Sequence, residues 1–186
     1  MGLFDFWKES AAMQHALRAT DLNGQGQFEL AIQEAEEAIR KDPKLAQGYC
    51  ARAYAHWQKG WTCDDPAAFR QAIADFDATL RLEPTRSDGF HGRAQVHMCL
   101  GQFAEAIADF TQALEFADDD RSAYDTLCLR GQTHAMAGDH GRAIADYSEA
   151  IGLDPDDPGG WENRAKAYRA IGDPGKADAD ERRAQE

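Results

Sequence analysis

The feature that most constrains the fold is an alanine that recurs along the chain. Successive alanines of this column lie 41, 34, 37 and 34 residues apart, so the unit is 34 residues long with short insertions. The column consists of Ala31, Ala72, Ala106, Ala143 and Ala177. Aromatic residues recur three positions before it and four positions after it, which places them on one helical face. This period predicts supersecondary units that stack on their neighbours.

Each unit is predicted to be a hairpin of two helices. A second column of small residues lets the helices approach closely, and it consists of Ala19, Ala53, Ala94, Gly131 and Ala165. The turns between the helices are assigned to a glycine column, Gly26, Gly60, Gly101, Gly138 and Gly172. Seven extra residues, 61–67, are expected between the two helices of the second unit, with Asp65 as an N-cap and Pro66 at the first helical position.

These motifs resemble the tetratricopeptide repeat (TPR) family. The resemblance rests on Ala-Ile-Ala-Asp-Phe at 72–76 and 106–110, Ala-Ile-Ala-Asp-Tyr at 143–147 and a closing Leu-Asp-Pro at 153–155. It implies an all-α, right-handed α-solenoid of five helix-turn-helix repeats, about ten helices, with a polar C-terminal capping helix. The expected layout is an apolar N-terminal segment or cap at 1–11, then one solenoid domain with repeats at about 12–45, 46–86, 87–123, 124–157 and 158–186.

The composition limits the partners and the compartment. The formal net charge of −13 would repel nucleic acid and anionic membrane surfaces, whereas a neutral or basic protein partner fits better. No apolar run approaches the ~20 residues of a membrane helix, and the start of the chain lacks the pattern of a signal peptide. The four cysteines show no CxxC spacing, so reduced thiols are expected. These features predict a cytoplasmic protein.

Two charged columns run through all five repeats. The arginines are Arg18, Arg52, Arg93, Arg130 and Arg164, and the acids are Glu34, Asp75, Asp109, Asp146 and Asp180. An arginine row could bind an acidic ligand. Structural ion pairs are the favoured interpretation, because the acids match the arginines one for one.

A histidine column at His56, His97 and His134 suggests a metal site or a pH sensor. Tyrosine-like packing is favoured instead, because one residue per repeat is spaced by roughly 10 Å or more, too far to share an ion easily. The same distance weakens Cys50, His91 and Cys128 as a metal trio. The chain has no phosphate loop, nucleophile elbow or HExxH motif. We therefore expect no enzyme activity, cofactor or metal.

The resemblance also implies where a partner binds, because TPR proteins hold an extended peptide or a helix in the groove formed by their first helices. The groove columns of this chain are Cys50, Tyr54, Trp57, His91, Gln95, Met98, Cys128, Gln132, Glu162, Lys166 and Arg169. Few are lysine or asparagine, so the acidic carboxylate tails that some members grip are not expected. Tyr54, Trp57 and Met98 would anchor a mostly apolar or mixed peptide. The alternative for Trp57 is packing against Trp61.

The sequence thus predicts a non-catalytic protein-binding scaffold or adaptor. One alternative is a self-assembling structural protein that uses its apolar N-terminal segment, and another is a metal- or thiol-dependent activity at the histidine and cysteine columns. The N-terminal segment could cap the first repeat, form homo-oligomers or rest on a membrane.

Overall fold

A computed structural model describes residues 10–185, and this part of the chain is entirely α-helical. The ten helices are α1 (Ala11–Gly24), α2 (Phe28–Lys41), α3 (Ala46–Cys63), α4 (Pro66–Leu82), α5 (Ser87–Cys99), α6 (Phe103–Glu115), α7 (Asp120–Met136), α8 (His140–Leu153), α9 (Pro158–Ala170) and α10 (Pro174–Arg183). The predicted all-α architecture of about ten helices is confirmed. The predictions for the N-terminal segment lie outside the described residues, apart from Ser10 and Ala11.

Aspartates begin many of the helices. The Asp65 carboxylate accepts a hydrogen bond from the Ala67 backbone N–H at 2.9 Å, and Pro66 occupies the first position of α4, as predicted. The same cap recurs at Asp119, Asp139, Asp157 and Asp173. Such a cap satisfies a backbone donor that the helix leaves open, and its loss typically costs about 1 kcal/mol.

The glycine column forms the turns in four repeats, at Gly26, Gly101, Gly138 and Gly172, which all have positive φ. The assignment of Gly60 to a turn is wrong. Gly60 is buried inside α3, where an added Cβ would lie 2.8 Å from the ring of Phe69. The extra residues lengthen α3 to Cys63, and Asp64 makes the turn with a left-handed φ of 51°. Gly60 therefore serves close packing between α3 and α4.

The chain divides into two compact units, with the division between Val96 and His97 in α5. In the first unit, α1 packs against both α2 and α3, and α3 packs against α4. Small side chains make these approaches close, since Ala19, Ala35 and Ala51 form one buried cluster. The larger Phe76 is fully buried, and its ring lies directly against Gly92. No hairpin of this size could bury such a core alone.

In the second unit, α7 packs against α8, and α9 packs against α8 and α10. Tyr124, Leu127 and Ala150 form one buried cluster. Tyr147 in a second cluster lies so close to α7 that a Cβ on Gly131 would come within 2.8 Å of its ring. Only Ala177 and Asp180 are buried in α10, which agrees with the predicted polar terminal helix.

Candidate protein-binding face

Clefts open beside the first helices of the repeats in each of the two units. The amino-terminal cleft has a volume of about 250 Å³. Its lining residues come from α1, α3 and the start of α5, and they are Thr20, Asn23, Gly24, Gln47, Cys50, Ala51, Tyr54, Gln58 and Asp88. Two predicted groove residues, Cys50 and Tyr54, thus lie together in it.

Cys50 and Tyr54 are tied to the protein around them. The Tyr54 hydroxyl donates a hydrogen bond to the backbone oxygen of Asp88 at 3.0 Å, and its ring packs edge-on against Phe76 with centroids 5.2 Å apart. Cys50 is 2% exposed, and burial raises the pKa of its thiol far above the ordinary value. Tyr54 therefore fixes the position of α5 against α3, and Cys50 stays a neutral thiol.

Trp57 is half-buried beside the same cleft. Its ring meets Tyr54 edge-on at 6.2 Å, and its indole Nε1 is buried with no hydrogen-bond partner among the described residues. Trp61, four residues further on, is 70% exposed. A tryptophan N–H normally finds an acceptor when it is buried. The Trp57 Nε1 is therefore a donor that the described residues leave unsatisfied.

The carboxy-terminal cleft lies between α7, α8 and α9 and has a volume of about 400 Å³. The predicted groove residues Gln132 and Lys166 both line it. Its wall is mainly apolar, and Met136 on that wall is 52% exposed. Lys166 Nζ lies 3.3 Å from Asn163 Oδ1, to which it donates. The cleft therefore combines an apolar wall with a few polar groups, as ligand sites usually do.

The remaining predicted groove residues lie outside these two clefts. His91 and Gln95 are half-buried on the part of α5 in the first unit, and Met98 is half-buried in the second unit. Cys128 is half-buried, and burial raises the pKa of its thiol to about 11. The Arg169 guanidinium binds Glu181 at 2.8 Å and Asp178 at 3.1 Å. Arg169 is therefore already paired within its own hairpin.

Buried polar atoms without a partner are concentrated at the clefts. Five such side-chain atoms occur in the described part of the chain: Asn23 Oδ1, His56 Nδ1, Trp57 Nε1, Gln58 Oε1 and His140 Nδ1. Asn23 and Gln58 line the amino-terminal cleft, and His140 lines the carboxy-terminal cleft. Native proteins contain few buried polar groups without a hydrogen-bond partner, so each such atom needs a physical explanation.

The charged columns form structural ion pairs. In three repeats the arginine donates two hydrogen bonds of 2.7–3.0 Å to the aspartate. These pairs are Arg52–Asp75, Arg130–Asp146 and Arg164–Asp180. Arg18 lies 3.4 Å from Glu34, and Arg93 lies 2.6 Å from Asp77 in α4. These contacts support the structural interpretation, because the arginines already have acidic partners within the protein.

The histidine column packs among other side chains. Burial lowers the pKa of both His56 and His134. His97 Nδ1 lies 2.6 Å from Gln102 Oε1, at the turn into α6. Between Ser10 and Gln185, no three His, Cys, Asp or Glu side chains converge in a way that could hold a metal ion.

Sequence reasoning missed several cleft residues. The groove columns were not extended to the first repeat, where Thr20 and Asn23 stand in the columns of Tyr54 and Trp57. That extension would have found both. Gln58 lies outside the columns, and no sequence signal marks it. His140 was also missed, since it belongs to a second helix.

Ten helices in paired repeats, with clefts beside the first helices, define a helical repeat protein. The chain belongs to the tetratricopeptide repeat family: two models of this repeat match residues 86–156 and 128–186, which together span more than half of the chain. No curated protein sequence matches the chain. None of the helices between Ser10 and Gln185 combines the length and apolar character needed to cross a bilayer.

Solved structures share the fold at low sequence identity. MamA residues 41 to the end, from Desulfovibrio magneticus RS-1, is 17% identical, with 95% of this chain and 94% of that chain covered and a TM-score of 0.76. PilF of Pseudomonas aeruginosa is 12% identical, with 94% and 75% covered and a TM-score of 0.82. A thermophilic TPR protein of Thermus thermophilus is 19% identical, with 87% and 82% covered and a TM-score of 0.72. At these identities the likeness establishes the TPR solenoid fold alone.

Proposed function

We propose that this chain is a non-catalytic scaffold or adaptor of the cytoplasm that binds a peptide or helix of a protein partner beside its first helices. The observation that carries the proposal is the position of the open polar atoms. Three of the five line the two clefts. Each unpartnered buried group costs about 1–3 kcal/mol, a cost that a ligand with matching donors and acceptors would remove.

The state of the thiols supports a non-catalytic role. A cysteine nucleophile must be a thiolate, and catalytic cysteines have lowered pKa values. Burial raises the pKa of both Cys50 and Cys128, so these thiols stay protonated at neutral pH. All four cysteines are free, which suits a reducing compartment.

The proposal is tested by selecting a binding peptide from a displayed library against the full chain. Binding is then measured by fluorescence anisotropy for the variants Gln132→Ala and Lys166→Ala in the carboxy-terminal cleft. Glu149→Ala is the matched control, because Glu149 is exposed on the second helix α8. We expect the cleft variants to weaken binding by roughly 5-fold or more and the control to leave it unchanged. A selection without binders, or binders that only the α8 variant weakens, would overturn the proposal.

A further inference from the structure

The amino-terminal cleft contains a buried amide that is only half satisfied. Asn23 is 7% exposed, and its Nδ2 donates to the backbone oxygen of Ala51 at 2.8 Å. This bond fixes the orientation of the amide, so Oδ1 is the atom left over, and it has no partner among the described residues. A carbonyl oxygen can only accept, so it requires a donor.

Gln58 also lines this cleft, and its Oε1 is a second buried acceptor without a partner among the described residues. The third amide of the cleft, Gln47, is engaged at both ends. Its Nε2 lies 3.4 Å from Thr20 Oγ1, and its Oε1 accepts from Arg86. Among the amides of the cleft, the missing hydrogen-bond partner is therefore specific to the Asn23 and Gln58 oxygens in the described part of the chain.

The charge of the cleft favours a cationic donor. Among the described residues that line the cleft, only Asp88 carries a formal charge, and its side chain is 48% exposed. Arg86 donates to the Asp88 carboxylate at 2.6 and 3.0 Å but is not among the lining residues. The lining thus offers two neutral acceptors and the aromatic ring of Tyr54, beside a carboxylate that Arg86 already binds.

We infer that the amino-terminal cleft is a pocket for the arginine side chain of a protein partner, an inference that rests on the proposed function and names the chemistry it recognises. A guanidinium carries five N–H donors in a planar fork and no acceptor, so one group can serve both open oxygens. It also stacks on aromatic rings and is more weakly hydrated than an ammonium, which makes it easier to bury. The net charge of −13 would attract a basic segment to the protein as a whole.

The test uses the isotope-labelled full chain and N-acetyl-L-arginine methylamide as the probe. The side-chain NH₂ signals of Asn23 and Gln58 are followed during titration by NMR. We expect both signals to shift in a saturable manner. The uncharged citrulline analogue should bind roughly 5-fold or more weakly, because charge-assisted hydrogen bonds are about twice as strong as neutral ones. The lysine analogue should also bind more weakly, because its ammonium is more strongly hydrated and lacks the planar fork of donors.

Gln58→Met removes the acceptor while keeping the length of the side chain. We expect it to weaken binding of the arginine probe by roughly 10-fold, the effect of losing one hydrogen bond to a charged group. Gln58→Glu keeps an acceptor and adds charge, so it should bind at least as tightly as the parent. Gln33→Met is the matched control, since Gln33 is exposed on α2 and lines neither cleft.

Failure of this inference is distinguishable from failure of the proposed function. If Asn23 and Gln58 do not respond to the arginine probe, the pocket does not bind an arginine side chain and the inference is wrong. Equal binding of arginine and citrulline, or an unchanged affinity of Gln58→Met, also overturns it. In each case the selected peptides still test the proposed function, through the variants at Gln132 and Lys166.

Discussion

The two units are built on the same hairpin frame but differ in charge. Twelve acidic and ten basic side chains lie between Ser10 and Val96, whereas eighteen acidic and nine basic ones lie between His97 and Gln185. The paired columns are nevertheless alike, since Arg52–Asp75 in the first unit and Arg130–Asp146 in the second have the same two-bond geometry. The comparison separates residues that maintain the shared frame from surface residues that differ between the two units.

The clefts extend this contrast. The amino-terminal cleft is lined by Asn23 and Gln58, whose buried oxygens have no partner among the described residues, while the carboxy-terminal cleft is mainly apolar and carries the cation Lys166. A shared frame can therefore offer different chemistry in each unit. Core substitutions should lower the stability of the two units by similar amounts. The ligand preferences of the two clefts should differ.

The largest effect is expected from the buried rings of the aromatic column. Phe76 in the first unit and Phe110 in the second are both fully buried. Phe76→Ala and Phe110→Ala should each lower the free energy of unfolding by about 3–5 kcal/mol, because each leaves a cavity. Chemical denaturation measures the loss, with the Phe→Leu variants as milder controls. If either substitution leaves the free energy of unfolding unchanged, the assignment of that ring to the core is wrong.

The ion pairs should show the next largest effect, again alike in the two units. Asp75→Ala and Asp146→Ala each leave a half-buried arginine unpaired, at an expected cost of about 2–3 kcal/mol. Double-mutant cycles with Arg52→Ala and Arg130→Ala measure the coupling within each pair. Coupling of about 1–3 kcal/mol in both is expected. A coupling energy near zero in one unit would show that the ion pair does not stabilise the two units equally.

Substitutions at two of the turns should change the free energy of unfolding in opposite directions. Asp64 holds a left-handed φ of 51° where the other repeats use glycine, as at Gly138 with φ of 83°. Asp64→Gly should raise the free energy of unfolding by up to about 1 kcal/mol, because glycine adopts this conformation without steric cost. Gly138→Ala should lower it by about 1–2 kcal/mol. Thermal unfolding midpoints that move in the same direction for both variants would contradict this account of the turns.

The smallest effect is a pH dependence from one histidine in each unit. Burial lowers the pKa of His56 and His134 below the ordinary value of about 6.5, although Asp75 and Asp146 partly oppose this shift. The unfolded chain then binds protons more readily than the folded protein. Their contribution to stability is complete above about pH 6.5 and declines as the pH falls through the lowered folded-state pKa.

The unfolding midpoint of the parent should therefore be lower at pH 5.5 than at pH 8. His56→Gln and His134→Gln should each reduce that difference, while the carboxylates that also titrate remain common to all variants. If neither substitution changes the difference, the buried histidines do not contribute to it.

Much of the frame could be predicted from the sequence, because each column has a local cause. The alanine column with its aromatic neighbours fixes the face of each helix, and Asp65–Pro66 marks a helix start. Gly60 was misassigned because the column treats every repeat as equal in length. Whether the extra residues lengthen α3 or widen the turn depends on Phe69 packing against Gly60, a contact that the period does not encode.

The site was less predictable. The family columns place Gln132 and Lys166 on first helices, and in the structure both line one cleft. Asn23 and Gln58 matter because an atom of each is left open, and openness is a property of the folded surroundings. The state of Asn23 depends on the backbone of Ala51 in another helix. No spacing rule reports such an unpaired atom.

The most direct test of the central claim is to map a selected peptide on the isotope-labelled chain by backbone amide chemical shifts. We expect the shifts to concentrate on residues of α1, α3, α7 and α9 that line the two clefts. Shifts confined to the exposed faces of α2, α4 and α8 would contradict the assignment of partner binding to the first helices.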